Sequence, residues 1–286
     1  MGKVFLVDIT RCNGCYSCQL ACKDEHVGND WSPIAKPQPN TGHFWWKITE
    51  TIQGQVPKVR VHYMHEMCQH CDNCKLIEKY PNAVYKSEEG MVIIDPVKAY
   101  GMLEMIGECP YHAVYWNDTL QLPQKCTGCL HLLRDEEWNE MEEGLPRCIQ
   151  ACPTECINYV DEDDPAVQEK LKDGFEKYHP EYGTNPNVYY KGLLNKFFVA
   201  GDVFDPEKDE VIEGAKVTLI DADGKEVRTL ETDWIGDFWF ERCEPGVYSV
   251  KIEADGYETK IIENIDATEK DINICGQAGI PLTKIQ

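Results

Sequence analysis

The chain has 286 residues, enough for two modest domains, and 50 acidic against 28 basic residues give it a formal net charge of −22. A field this negative repels nucleic acid and anionic membranes, and no apolar run approaches the ~20 residues that cross a bilayer. Fifteen cysteines are the outlying number, thirteen of them between Cys12 and Cys156. Beside a start that does not resemble a signal peptide, they point to metal in a reducing compartment and away from a disulfide scaffold.

In chain order, Met1–Thr10 reads as a first β-strand whose apolar run, Val4–Val7, ends at Asp8. Cys12-x2-Cys15-x2-Cys18-x3-Cys22 follows. Three thiolates at these gaps let one tight loop aim three sulfurs at a single cubane. The fourth, on a following helix, points to the other cluster of a two-cluster ferredoxin. The motif therefore predicts a reciprocal half, and Cys126-x2-Cys129 with Cys148-x3-Cys152-Pro153 supplies it. Cys12, Cys15, Cys18 and Cys152 are assigned to one [4Fe–4S] cluster, and Cys22, Cys126, Cys129 and Cys148 to a second. Taken alone, the segment from Cys126 to Cys152 also has the spacing of a four-cysteine zinc site. The Cys12–Cys22 group and the Cys-Pro ending favour iron and sulfide.

Between the halves lies Cys68-x2-Cys71-x2-Cys74, with Cys109-Pro110 as the nearest source of a fourth ligand for a third cluster. Counting back from Cys109 at the spacing of the first group lands on Ala99, Met102 and Met105. Asp95 precedes Ala99 as Asp8 precedes Cys12, and Met91–Ile94 matches Val4–Val7 as an apolar strand. This is an internal repeat that has lost a fourth cluster, with methionine suited to the irregular space left behind. Tyr80-Pro81 marks the vanished fourth cysteine of the 68–74 group. Twelve ligands and three clusters agree. Cys156, Cys243 and Cys275 are left over and read as buried small apolar residues; a disulfide between the last two is not expected in a reducing compartment.

His62, His65 and His70 flank the third group. His65 or His70 could hydrogen-bond a cluster sulfur, although packing or solvent contact is the more general habit of histidine. Phe44-Trp45-Trp46 suits either the core or a partner-binding patch. Neither a phosphate loop nor a nucleophile–base pair is found by motif, so no catalytic residue is assigned.

Residues 1–160 are thus expected to form a ferredoxin-type polycluster domain. Residues 161–195 form a connector packing on it, with a helix over Pro165–Lys177 after Asp163 and Asp164, then an irregular stretch to Gly192. Residues 196–286 form a β-sandwich accessory domain. There the runs Lys216–Ile220, Phe238–Phe240, Val247–Ile252 and Thr259–Ile262 are separated by Asp223-Gly224, Pro245-Gly246 and Asp255-Gly256. The fold class is α+β: a double ferredoxin-like [4Fe–4S] domain followed by an all-β prealbumin-like or Ig-like sandwich. The frame from Gly214 to Tyr248 resembles carboxypeptidase-regulatory-like domains.

With these groups in order, the first ~195 residues resemble the four-cluster iron–sulfur subunits of dimethyl-sulfoxide-reductase-type molybdenum or tungsten enzymes. The lost cluster, Lys125-Cys126-Thr127-x-Cys129, Pro146-Arg147-Cys148, Val188-Tyr189-Tyr190-Lys191 and the sandwich narrow the match. They make the chain similar to the small subunits of the pyrogallol–phloroglucinol transhydroxylase and catechol-dehydroxylase family. That family tends to space its second group Cys-x2-Cys-x4-Cys, which would put the third ligand at Leu76. Here it falls at Cys74, so the loop must bend differently.

The resemblance implies a heterodimer or larger assembly. Its large subunit would carry Mo or W on a bis-pterin guanine dinucleotide and act on a phenolic ring, while this chain, without an active site of its own, conducts electrons. Two other readings are a scaffold subunit with little obligatory electron flow and a free polyferredoxin. The expected location is the cytoplasm, or export in folded form with a signal-bearing partner.

Overall fold

The structure is a computed structural model and describes residues 2–142 and 144–285. Packing divides the chain into two units: residues 1–50 with 63–193, and residues 51–62 with 194–286.

In the first unit, strand β1 (Lys3–Asp8) buries four consecutive apolar residues, Val4 to Val7, as a strand covered on both faces does. Helix α1 (Ser17–His26) starts after Tyr16, whose backbone is left-handed. Strands β2 (Trp46–Gln55) and β3 (Lys58–Met67) form a hairpin. Trp45 and Trp46 are each only 1% exposed, so these two of the aromatic run are core, while Phe44 is half-buried. Next come α2 (Lys75–Lys79) and two short hairpins, β4 (Val84–Lys86) with β5 (Val92–Ile94) and β6 (Tyr115–Asn117) with β7 (Leu122–Gln124). Helices α3 (Leu130–Leu133), α4 (Glu136–Glu142) and α5 (Arg147–Gln150) lead into β8 (Ile157–Asp161).

The segment expected to connect the domains belongs to the main sheet. Asp164 caps α6 (Pro165–Leu171) by accepting the Ala166 amide, but the helix predicted to reach Lys177 stops at Leu171. Gly174, left-handed at φ +74°, turns the chain instead into β9 (Phe175–Lys177). The stretch expected to be irregular supplies β10 (Val188–Lys191), with Val188 and Tyr190 fully buried. The sheet order is β8-β1-β10-β9, with β10 parallel to β1 in the register Phe5–Val188 and Val7–Tyr190. Strand β8 runs antiparallel on the other side, pairing Val7 with Ile157.

The second unit is a two-sheet sandwich. One sheet centres on β11 (Phe197–Asp205), flanked by β12 (Glu210–Val211). The other begins with β13 (Lys216–Asp221) and β14 (Glu226–Glu231). Strand β15 (Asp237–Cys243) returns to β11, and β16 (Gly246–Glu253) and β17 (Lys260–Ala267) extend the other sheet to the order β14-β13-β16-β17. Short β18 (Ile272–Asn273) and β19 (Ile280–Pro281) pair in parallel with β11. Alternation places Val199, Val203, Phe238 and Phe240 of one sheet in a common core with Val217, Leu219, Val250 and Ile252 of the other. The hairpin tip at 51–62 also belongs here: Lys58, 5% exposed, pairs with Asp237, and Asp271 accepts the Phe198 amide at 2.9 Å.

Candidate metal centres

Each cysteine group sits on a loop with the same backbone device. The second residue after the leading cysteine is left-handed in all three: Gly14, His70 and Gly128. The third residue after each Cys-Pro pair's cysteine, His112 and Glu155, is left-handed too. Such turns aim successive amides into a concavity that favours negative charge. The His70 amide lies 3.4 Å from Cys68 Sγ and the Gly128 amide 3.4 Å from Cys126 Sγ, while the Gly14 amide serves Cys12.

Neighbouring thiols perturb one another. Burial pushes the Cys18 thiol up to about 12, and Cys12, Cys152 and Cys15 add to it. Burial raises Cys22 well above its ordinary value, with Cys126 and Cys129 next in effect. Cys148 is raised the same way, by burial and then by Cys129, Cys126 and Cys22. Cys71 is pushed to about 12 by burial, with Cys68, Cys74 and Cys109 acting in the same direction. Cys18, Cys22, Cys148 and Cys71 are each perturbed by cysteines of the set to which they were assigned. Adjacent sets also meet: Cys148 feels Cys18, and Cys126 feels Cys68. The four thiols of the second set are all buried, whereas Cys15 of the first is exposed and Cys74 and Cys109 of the third are half-buried. Cys74, at the N-cap of α2, lines one pocket with Cys68, Cys71 and Cys109. Leu76, the position that the family spacing favours, is 2% exposed in an apolar core.

The surroundings suit the cofactor. Four soft sulfur donors with amides directed at them are the donor set of a [4Fe–4S] cluster. Two buried groups beside the sulfurs, His70 Nε2 and Thr127 Oγ1, have no hydrogen-bond partner among the described residues, which marks a site for further acceptors. His70 Nδ1 accepts the Val92 amide at 3.0 Å, so the proton of the neutral ring is on Nε2. Lys125, 3% exposed, donates to the carbonyls of Val92 and Cys126, and its charge acts on both Cys126 and Cys74. A buried ammonium calls for nearby negative charge, which thiolate-bound clusters would provide.

The strands paired in the expected inner repeat end alike. Asp8 accepts the Thr10 amide and Asp95 the Val97 amide, giving the same turn at the end of the two matching strands. Ala99 and Met105, both 0% exposed, share one apolar cluster with Met102 and Tyr80. Among the leftover cysteines, Cys243 is buried as expected of a small apolar residue. Cys275 is not: it is exposed, in a left-handed conformation heading the short turn Gly276–Ala278. Cys156 is buried but is no inert filler, since its Sγ lies 3.5 Å from Cys152 Sγ. Hydrogen bonds from Cys156, ahead of other causes, lower Cys12 and Cys152 to about 4. His65, 0% exposed, places Nε2 3.3 Å from Cys12 Sγ. Its neighbourhood to the third group was visible in the sequence; its contact with the first was not, because it depends on where β3 runs.

Loops of this kind, carrying soft donors in sets of four, define an iron–sulfur protein of the ferredoxin type. A profile described as a 4Fe-4S dicluster domain matches residues 59–162, and one described as a carboxypeptidase regulatory-like domain matches residues 199–274. The small subunit of pyrogallol hydroxytransferase from Pelobacter acidigallici is 37% identical over 88% of this chain and 90% of its own length. A tetrathionate reductase subunit from Salmonella typhimurium is 30% identical over 67% of this chain and 73% of its own. A sulfite dehydrogenase subunit from Allochromatium vinosum is 27% identical over 65% and 80%. The chain belongs to the family of iron–sulfur subunits of dimethyl-sulfoxide-reductase-type molybdoenzymes, alongside the pyrogallol hydroxytransferase small subunit. No helix among the described residues is long and apolar enough to cross a membrane.

Proposed function

We propose that this chain holds three [4Fe–4S] clusters in a double ferredoxin-like domain and serves a larger molybdopterin subunit that acts on a phenolic substrate. The observation that carries the reading is the continuity of the three thiol sets. Cys18, Cys68 and the second set's Cys22, Cys126 and Cys148 pack in one buried core, so members of all three sets share it. Bound there, the clusters supply one-electron redox chemistry. The chain's own residues position the ligands, exclude water from the wholly buried second set, and offer amide donors to the sulfurs. Exposed Cys15 and half-buried Cys74 and Cys109 bring the outer sets toward solvent, as electron exchange with partners requires.

The phenolic substrate, the Mo or W cofactor and the large partner rest on the likeness to the pyrogallol hydroxytransferase small subunit over nearly the whole chain. The ligand assignment is tested by Cys109→Ala. Iron should fall by about one third, from about twelve to about eight per chain, with one spectroscopic cluster signal lost. Loss of two signals would show the pairing to be wrong.

A further inference from the structure

His65 and Cys156 converge on the first thiol set from parts of the chain far from its loop. Trp46 Nε1 lies 3.2 Å from His65 Nδ1, with the rings at 89°. An indole nitrogen can only donate, so Nδ1 accepts and the neutral imidazole carries its proton on Nε2. That N–H faces Cys12 Sγ at 3.3 Å, with Cys156 Sγ at 4.0 Å. The backbone under the ring is fixed, because the Tyr190 hydroxyl donates to the His65 carbonyl at 3.0 Å and itself accepts from Gln69 at 2.9 Å. Cys156 is equally held: its carbonyl accepts the Asp8 amide at 2.7 Å, and its Sγ stands 3.5 Å from Cys152 Sγ.

We propose that His65 N–H and Cys156 S–H are hydrogen-bond donors to the ligand sulfurs Cys12 and Cys152, and that they raise the reduction potential of the first cluster. A donor on a ligand sulfur withdraws charge from the cluster and favours its reduced, more negative state. Side-chain hydrogen bonds of other kinds reach the remaining sets: a His26 ring nitrogen lies 3.9 Å from Cys129 Sγ in the second, and a Thr184 hydroxyl serves Cys71 in the third. The role of both donors rests on the reading that Cys12, Cys15, Cys18 and Cys152 hold a cluster.

The test is a redox titration of the purified holo complex followed by electron paramagnetic resonance, with iron analysis, on wild type, Cys156→Ala, His65→Phe and His65→Gln. Iron should stay at about twelve per chain. One potential of the three should move to more negative values in Cys156→Ala and further in His65→Phe. The amide donor of His65→Gln should restore part of the shift, and an exchangeable-proton coupling at that cluster should vanish in His65→Phe. Unchanged potentials in Cys156→Ala and His65→Gln would overturn the proposal even if His65→Phe fails to fold. Loss of one cluster's iron in Cys156→Ala would also overturn it, making Cys156 a ligand. Zinc, or no metal, in the wild type would instead sink the cluster reading beneath it.

Discussion

At Gly14 the backbone is left-handed at φ +69°, and a Cβ there would run into the ring of Tyr63. Gly14→Ala therefore adds a clash to backbone strain in the loop that gathers Cys12, Cys15 and Cys18. We expect the variant to lose about four irons per chain, read by iron analysis, with the other two clusters' signals intact; full iron would show that the loop does not need this turn. Lys125 acts by charge. Lys125→Met should move the potentials of the second and third clusters to more negative values and leave the first unchanged, in a redox titration, because the ammonium acts on Cys126 and Cys74. The cysteines were legible in the sequence because ligand spacing along a tight loop is a local property. His65 and Cys156 were not: their contacts with Cys12 and Cys152 arise from where β3 and the start of β8 lie, which no local spacing encodes.

At the scale of elements, the positions read as a lost cluster site form an apolar core. Ala99, Met102 and Met105, at the positions counted from the first group, and Tyr80, at the place of the 68–74 group's fourth cysteine, pack together with Val92, Ile94 and Leu76. Methionine fills irregular space with little loss of packing. Returning cysteine to Ala99, Met102, Met105 and Tyr80 together should raise iron from about twelve toward about sixteen per chain. Unchanged iron in a folded variant would show that the resemblance is one of sequence alone. The repeat could be counted in the sequence because its Asp turns, apolar strands and Cys-Pro ending survive. The connector was read less well. Pro165–Lys177 has helical composition and an Asp cap, but Gly174 lets the chain turn, and Phe175–Lys177 pairs with β10 instead. A parallel neighbour for β1 drawn from residue 188 onward is a long-range pairing that a window of sequence does not carry.

For the whole molecule, the two units are built on different physics. The first has a core in which Cys18, Cys22, Cys68, Cys126 and Cys148 pack with Trp45, Trp46 and Tyr190, so metal loading and folding are coupled there. The second has as its core the apolar inward faces of two sheets. Alternation and turn residues made the sandwich legible before its strands were seen, whereas the grouping of 51–62 with it depends on tertiary packing of a hairpin tip. The net charge of −22 disfavours nucleic acid as a partner. The most direct measurement is an anaerobic native purification through a tag on this chain, with Fe, Zn, Mo and W measured in whatever co-elutes. The predicted result is about twelve irons per chain together with Mo or W on a large partner. Zinc in place of iron, or a lone chain with neither Mo nor W, would contradict it.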